Sequence, residues 1–141
     1  EQMNKLRNDI SLLPHAIEEM FRWETPVKHF LRTATEDYTL RGRSIKEGDR
    51  LMMMYASGNR DEEVFNNPFE FQVDRRPNKQ IAFGYGVHRC LGHLLAKMEM
   101  SAFYKALLER TTDIQLNGDP AWIHATFVSG LKRLPVRFIK R

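Results

Sequence analysis

The stretch that decides the fold reads Phe83-Gly84-Tyr85-Gly86-Val87-His88-Arg89-Cys90-Leu91-Gly92. Its glycines permit tight backbone turns, and Cys90, the only cysteine of the chain, lies where a long helix is predicted to begin. The free N–H groups at a helix N-terminus favour the thiolate, which is the form of cysteine that binds a metal. Glycines beside the thiol also let a flat, bulky cofactor approach the backbone closely. The stretch is therefore a candidate thiolate site.

The residues alone leave other interpretations of this stretch open. Free cysteine is among the most buried residue types, so Cys90 is equally typical of a structural core residue in a glycine-containing turn. A dinucleotide-binding fingerprint is disfavoured, because Arg89 stands where a third glycine is needed. A zinc site made of His88, Cys90 and His93 is disfavoured as well, because no fourth ligand is in view.

A second motif lies upstream, in a predicted helix over residues 14–23. Glu19 and Arg22 are three residues apart, so their side chains share one helix face and can form an ion pair. The Arg22 guanidinium keeps spare donors for a third group. Taken alone, the pair is more typical of an exposed ion pair of little energetic weight.

Composition and charge exclude several classes of protein. The 141 residues are 42% hydrophobic and 28% charged, which is typical of one globular domain or of a piece of one. The net charge of +4 is mild, and acids lie among the bases, which argues against nucleic-acid binding. The longest apolar run, 51–56, is too short for a membrane span. Because the chain opens on Glu1, we expect an internal piece of a longer protein.

Hydrophobic periodicity predicts a mixed fold. The predicted order is a helical segment over 1–13, a helix over 14–23, short strands within 28–55, a short helix over 60–65, a long loop over 66–87, a helix over 91–109 and a strand over 134–139. The helix over 91–109 carries an apolar stripe of Leu91, Leu94, Leu95, Met98, Ala102 and Phe103. This pattern predicts an α+β fold that is mainly α.

Together the two motifs resemble those of the haem-thiolate cytochromes, the cytochrome P450 superfamily. The family's haem loop, Phe-x-x-Gly-x-His/Arg-x-Cys-x-Gly, is matched by Phe83, Gly86, His88, Cys90 and Gly92. The family's Glu-x-x-Arg pair falls on Glu19 and Arg22, and the approach over 77–84 is similar to that of bacterial members. The resemblance extends over essentially all 141 residues. It implies the C-terminal, haem-binding part of the P450 fold, with a Glu-x-x-Arg helix, small β segments, a cysteine loop and a long proximal helix.

The resemblance also implies roles for individual residues. Cys90 is expected to be the axial thiolate on the iron of heme b, and no other residue of the chain is expected to be catalytic. The other expected cofactor-binding residues are Phe83, Gly84, Gly86, His88, Gly92 and Arg32. Of these, His88 and Arg32 are expected to contact the haem propionates, although a lone histidine here is equally typical of a solvated loop. Glu19, Arg22 and Arg75 are expected to form a structural triad, with Arg76 as the alternative third member.

Two further groups of residues follow from the resemblance. The residues expected to face substrate are Val27, Phe30, Leu31, Thr126, Phe127 and Val128, although each is equally typical of an ordinary core. The residues expected to form a redox-partner face are Arg76, Lys79, Arg89 and Lys97. Their positive charge suits an acidic ferredoxin, although a basic surface without a partner has the same composition.

The activity that the resemblance implies is that of a cytoplasmic monooxygenase. It would hydroxylate a lipophilic small molecule, a terpenoid first and an alkane, fatty acid or steroid as alternatives, with O₂ and two electrons from a 2Fe-2S ferredoxin and its reductase. Complete members have an N-terminal part with an oxygen-activating helix, which these residues lack. We therefore expect residues 1–141 to be an inactive C-terminal fragment of one P450 domain. The alternatives are a haem-binding module without oxygenase chemistry and a structural fragment without cofactor, which is expected to dimerise or exchange segments.

Overall fold

The computed structural model describes all residues from Glu1 to Arg141. Its four α-helices are α1 (Gln2–Asn8), α2 (Leu13–Glu24), α3 (Tyr55–Gly58) and α4 (His93–Arg110). Two single turns of 3-10 helix cover Ile10–Leu12 and Gly86–His88. None of these helices is both long enough and apolar enough to cross a membrane.

Eight short strands form four antiparallel pairs. The strands are β1 (His29–Thr33), β2 (Tyr38–Leu40), β3 (Arg43–Ile45), β4 (Arg50–Met54), β5 (Thr111–Leu116), β6 (Ala121–Trp122), β7 (Leu131–Arg133) and β8 (Val136–Lys140). The pairs are β1–β4, β2–β3, β5–β8 and β6–β7. Between β2 and β3, Arg41 and Gly42 both have positive φ, as a tight hairpin turn requires. The α+β class predicted from the sequence is confirmed.

The core joins the helices to the segment that leads into the cysteine loop. Its buried side chains are Leu6 of α1, Ala16 of α2, Leu108 of α4 and Val73 of the long loop. Pro14 lies in the first turn of α2, where its missing N–H costs no hydrogen bond. Because Val73 packs between helices, the long loop is fixed to the helical core rather than lying free on the surface.

Two predicted helix boundaries are wrong. Residues 60–65 form turns rather than a helix, and the short helix lies earlier, at Tyr55–Gly58. The physical reason is local: Oδ1 of Asp61 accepts a 2.9 Å hydrogen bond from the N–H of Glu63, which favours a turn over a helix. Helix α4 begins at His93 rather than at Leu91, because Leu91 and Gly92 form a turn.

The apolar stripe of α4 does not pack against the rest of the chain. Leu91 is 99% exposed, and Leu94, Leu95, Met98 and Phe103 are also largely exposed. The opposite side of the helix contacts the core through Leu108. The helix is therefore confirmed, whereas the core contact expected for its stripe is absent from these 141 residues.

Candidate cofactor site

The cysteine loop is a closed turn. The N–H of Cys90 donates a 2.8 Å hydrogen bond to the carbonyl of Phe83, and the N–H of Gly84 donates one of 2.8 Å to Ile81. Gly84 and Gly86 have φ of 71° and 66°, a left-handed conformation in which glycine avoids the strain that other residues incur. The turn therefore returns the chain so that Cys90 lies beside Phe83.

Cys90 lies three residues before the first residue of α4. Its carbonyl lies 3.4 Å from the N–H of His93, which donates to it, and 2.9 Å from Nδ1 of the same histidine. The thiol is exposed, which contradicts the interpretation as a buried structural cysteine. No group of three or more His, Cys, Asp or Glu side chains is arranged to hold a metal ion, so the zinc interpretation finds no support.

An open, mainly apolar cleft of about 490 Å³ lies against the cysteine loop. Of the residues predicted for the cofactor or the substrate, seven line it: Val27, Phe30, Arg32, Phe83, Gly84, His88 and Cys90. The structure thus brings together residues that are up to 63 positions apart in sequence, from 27 to 90. Four lining residues were missed: Phe21, Pro26, Tyr55 and Ala82. Of these four, Phe21 could have been predicted from the sequence, because it lies between Glu19 and Arg22 on the predicted helix.

The other predicted substrate-facing residues lie outside the lining of this cleft. Leu31 follows Phe30 on β1 and is more than half exposed, as the alternation of side chains along a strand requires. Phe127 packs edge-on against Phe30, with ring centroids 5.3 Å apart. Val128 forms a β-bridge with Val27. Phe127 and Val128 therefore support the cleft wall from behind.

The remaining predicted positions lie at the edge of the site. Thr126 is exposed and lies outside the cleft lining. Gly86 and Gly92 shape the loop on either side of the cysteine, and a Cβ built on Gly92 would lie 4.0 Å from the Cys90 sulfur. Gly86 faces open space.

Two cationic or titratable side chains border the cleft. Arg32 donates a 2.8 Å hydrogen bond to the carbonyl of Leu31, and its guanidinium lies 5.7 Å from the ring centroid of Phe30. His88 lies in the short 3-10 turn and is exposed. Neither side chain forms an ion pair with an acidic residue of the chain. Both are therefore available to an anionic group of a ligand.

A buried carboxylate lies behind the cleft. Glu19 accepts hydrogen bonds of 2.7 and 2.8 Å from Arg22, and of 3.0 and 3.1 Å from Nε of Arg75. The N–H of Gln72 and the amide of Asn78 also donate to it, at 2.9 and 3.1 Å. The side chains of Glu19 and Arg22 are fully buried. The structure thus places Arg75, and not Arg76, at the third position of the predicted triad.

The two guanidiniums also fix the long loop. Arg22 donates to the carbonyls of Asn59, Pro68 and Glu70. Arg75 donates to those of Asn66, Asn67 and Glu70. Each terminal guanidinium nitrogen of the two arginines therefore donates to at least one backbone carbonyl, which helps to satisfy a buried ion pair.

The hydrogen bonds control the charge of Glu19. Burial alone would raise its pKa, but the hydrogen bonds from Arg22, from the N–H of Gln72 and from Arg75 outweigh burial. The pKa of the carboxyl is therefore held below its usual value of 4.5.

Asn59 connects α2 with the approach to the cysteine loop, a role that was not predicted from the sequence. Its Nδ2 donates to the Thr25 hydroxyl at 2.8 Å, and its Oδ1 accepts from the N–H of Ile81 at 2.8 Å. The Thr25 hydroxyl in turn donates to the carbonyl of Arg22. An asparagine beside a glycine and a charged run is typical of an exposed turn, so its complete burial was not predictable.

The predicted basic face is divided. Arg76, Arg89 and Lys97 line a polar cleft of about 510 Å³, while Lys79 is exposed and lies outside its lining. Lys97 forms an ion pair with Glu18. The side chains of Arg76, Lys79 and Arg89 form no ion pair.

The residues of the main cleft fit a haem group. An exposed thiol, apolar walls and two side chains suited to carboxylates meet there, and these match an iron, a macrocycle and its propionates. The open space at Gly86 leaves the loop free for a flat group to approach.

The chain is similar in sequence to known proteins. The family model for Cytochrome P450 matches residues 1–121. Cytochrome P450-terp of a Pseudomonas species is 47% identical over 140 residues, which are 99% of this chain and 33% of that protein. Steroid C26-monooxygenase of Mycolicibacterium smegmatis is 44% identical over 140 residues, which are 98% of this chain and 35% of that protein.

Solved structures extend the similarity to the fold. The crystal structure of CYP109E1 from Bacillus megaterium in complex with testosterone aligns with a TM-score of 0.91 and 37% identity. The alignment covers 96% of this chain and 38% of that one. The chain thus spans about a third of the length of the curated relatives that it matches.

Proposed function

The chain belongs to the cytochrome P450 family, and on this premise we propose that its main cleft forms the proximal side of a haem-thiolate site. The observation that carries the proposal is the exposed Cys90 thiol in an apolar cleft that Arg32 and His88 also border. Cys90 would ligate the iron of heme b. Arg32 and His88 would pair with the propionates, and Phe83 would cover the macrocycle near the sulfur.

When bound, such a group supplies the activation of O₂, with the thiolate donating electron density that favours O–O cleavage. The chain's own residues have simpler tasks. The turn between Phe83 and Cys90 presents the thiol, and Gly84 and Gly86 take the positive φ angles of this turn without placing a side chain on the loop. The Glu19–Arg22–Arg75 triad fixes the long loop behind the cleft, and none of its three members lines the cleft.

The whole protein is proposed to be a monooxygenase that hydroxylates a lipophilic small molecule with O₂. Val27 and Phe30 give the cleft apolar walls, which suit a substrate held by burial of apolar surface. A terpenoid is the first candidate, because the 47% identical relative is named Cytochrome P450-terp. A steroid is the main alternative, since one relative is a Steroid C26-monooxygenase, and alkanes and fatty acids follow.

A [2Fe-2S] ferredoxin and its reductase are the proposed electron donors. Arg76 and Arg89 are exposed, form no ion pair and line the same polar cleft, so they suit an acidic protein. In a full-length protein that contains this chain, Arg89→Gln should lower the rate of reduction at low ionic strength and lose this effect at high salt. An unchanged rate at low salt would exclude Arg89 from docking.

We further propose that residues 1–141 are the C-terminal part of one cytoplasmic P450 domain. The support is that the chain aligns with only about a third of the length of each of these relatives. On this proposal the family's oxygen-activating helix belongs to a part of the protein outside residues 1–141, and the chain alone is expected to be inactive.

Haemin titration of the chain tests the proposal. Reduction under carbon monoxide should then give a strongly red-shifted Soret band, which is the signature of a thiolate ligand, and Cys90→Ala should remove that band. Tyr85→Ala is the matched control, because Tyr85 lies in the same loop, is 87% exposed and does not line the cleft. Identical spectra for the chain and Cys90→Ala would overturn the thiolate assignment.

A structural fragment without cofactor is the second candidate, and the exposed stripe of α4 favours it. The two candidates differ in haem uptake. If the chain takes up no haem in the haemin titration, the result would support the structural fragment.

A further inference from the structure

We propose that Glu18, Gln80 and Lys97 form a positioning network that holds the cysteine loop from both sides, an inference that rests on the proposed haem-thiolate function. Glu18 lies on α2, Gln80 in the segment before the loop and Lys97 on α4 after it. None of the three belongs to the Glu19 triad, and none lines the main cleft.

One carboxylate connects the two sides of the loop. Oε1 of Glu18 accepts a hydrogen bond from the ammonium of Lys97. Oε2 of Glu18 accepts a 2.9 Å hydrogen bond from Nε2 of Gln80. Both polar atoms of the Gln80 amide form hydrogen bonds, because its Oε1 accepts one of 2.7 Å from the N–H of Ala82. The position of Ala82, and with it that of the following Phe83, is therefore linked to the start of α4.

The network reaches Cys90 through Phe83. The ammonium of Lys97 lies 5.6 Å from the centroid of the Phe83 ring, a distance at which a cation and an aromatic face attract. On another side the ring packs against Phe21, with centroids 4.4 Å apart. The carbonyl of Phe83 accepts the hydrogen bond of the Cys90 N–H. Lys97 thus positions Phe83, and the carbonyl of Phe83 in turn positions the backbone of Cys90.

The surroundings of Lys97 distinguish it from a docking cation. Its side chain is 24% exposed and that of Glu18 is 28% exposed, so salt screens this pair less than it screens a surface pair. Arg89 and Arg76 are exposed and form no ion pair. The positive charge of Lys97 is neutralised by Glu18, which suits a positioning residue better than a contact for an acidic protein.

Helix geometry explains why two adjacent glutamates have different tasks. Successive residues of an α-helix are rotated by about 100°. Glu19 consequently faces the buried arginines, while Glu18 faces Gln80 and Lys97. Glu19 therefore connects α2 to residues 72–78 of the long loop, and Glu18 connects it to Gln80 and to α4.

Amide hydrogen exchange of the 141-residue chain without haem tests the network directly. In Lys97→Met, the Cys90 amide should exchange about tenfold faster, because a charge-assisted hydrogen bond contributes on that scale. The Gln72 amide, which donates to Glu19, should keep its rate and serves as the internal reference for the triad. Glu18→Gln should give the same local pattern, since it removes the charge of the same pair.

Two control variants make the result specific. Lys97→Arg keeps the cation and should restore slow exchange at Cys90. Lys79→Met removes an exposed lysine of the same region that forms no ion pair, and it should leave Cys90 exchange unchanged. An unchanged Cys90 rate in both Lys97→Met and Glu18→Gln would overturn the network. Equal acceleration at Cys90 and Gln72 would also overturn it, because the pair would then act only on global stability.

Haemin titration of the same variants separates this inference from the proposed function. A chain that binds haem through Cys90 should show a smaller red-shifted band in Lys97→Met, restored in Lys97→Arg. If no variant binds haem while Cys90 exchange still responds to Lys97, the haem proposal fails and the network stands. If haem binds normally in every variant and exchange is unchanged, the network fails and the haem proposal stands.

Discussion

Nε of Arg22 lies 2.7 Å from Oε2 of Glu19 one turn earlier on α2, and neither side chain has any exposed surface. The contact has the i, i+3 spacing that the sequence suggested for an exposed pair, but its setting is the opposite. A buried ion pair contributes little net stability by itself, whereas the loss of one partner leaves an uncompensated charge. The pair is consequently a point of high sensitivity in the fold.

Removal of the carboxylate should therefore destabilise the chain severely. Glu19→Ala leaves Arg22 and Arg75 buried without their shared acceptor, and the expected loss is about 3 to 5 kcal/mol of unfolding free energy. Urea denaturation followed by circular dichroism measures it. Lys46→Ala is the control, because the Lys46–Asp37 pair is largely exposed, and no measurable change is expected there. Similar losses in the two variants would contradict the buried role of Glu19.

The lowered pKa of Glu19 predicts a dependence of stability on pH. Since its folded pKa lies below the unfolded value of 4.5, the unfolded chain binds more protons in this range. The stability from Glu19 is therefore fully present above pH 4.5 and is lost as the pH falls through the folded pKa.

This dependence is measurable by denaturation between about pH 6 and about pH 3. Glu19→Gln should remove the contribution of Glu19 to the loss of stability at low pH. The pKa values of three exposed carboxylates are also lowered, and their contributions should be the same in both proteins; they are Asp37, Glu63 and Asp74. Equal slopes for the chain and Glu19→Gln would show that Glu19 does not titrate differently on folding.

Gly86 offers a test that separates backbone strain from haem binding. Gly86 and Gly42 both have positive φ, and a Cβ on either would meet no atom within 4 Å. Alanine should therefore cost a similar 1–2 kcal/mol of folding stability at each position, on the order of left-handed strain. Only Gly86→Ala should also weaken haem affinity, by about tenfold, since only this methyl group adds bulk to the cysteine loop. Equal haem affinities in the two variants would show that Gly86 does not face the cofactor.

Local pattern was sufficient for the cysteine loop and for α2. The glycines, the single cysteine and Pro14 each impose a constraint on the backbone next to them, and such constraints act independently of distant residues. The lining of the cleft was also predicted in part. The resemblance assigned Arg32 and Val27 to the same site as Cys90, which lies far away in sequence. The roles of these residues remain predictions, although the structure brings them together.

Long-range geometry was not predictable from pattern. The antiparallel pairing of β5 with β8 joins residues about 25 positions apart, and nothing in the sequence of β5 indicated its partner. The burial of Asn59 depends on Thr25 and on the N–H of Ile81, which only the folded chain brings near. The ion pair of Lys97 with Glu18 likewise depends on the packing of α4 against α2, so charge alone placed Lys97 on a docking face.

The exposed stripe of α4 predicts self-association of the 141-residue chain. Leu94, Leu95 and Met98 present apolar surface to solvent, and a second copy that covered them would remove this surface from water. Gel filtration at two concentrations should show a larger species at the higher one. Leu95→Gln should weaken the association, because burial of a leucine contributes about 2 kcal/mol, or more than about tenfold in the dissociation constant.

The matched control for this prediction is Lys105→Gln, which changes an exposed polar residue of the same helix and should leave the association unchanged. A monomer at both concentrations would contradict the prediction, since the stripe would then be tolerated in water. Equal weakening by both substitutions would show that the association depends on α4 but not on the apolar side chains of its stripe. Lys105 lies two turns after Met98 on the same side of α4 as the stripe, so the two variants differ in whether an apolar side chain is removed. Weakening by Leu95→Gln alone would therefore identify the apolar side chains of the stripe as the surface that the chain must cover.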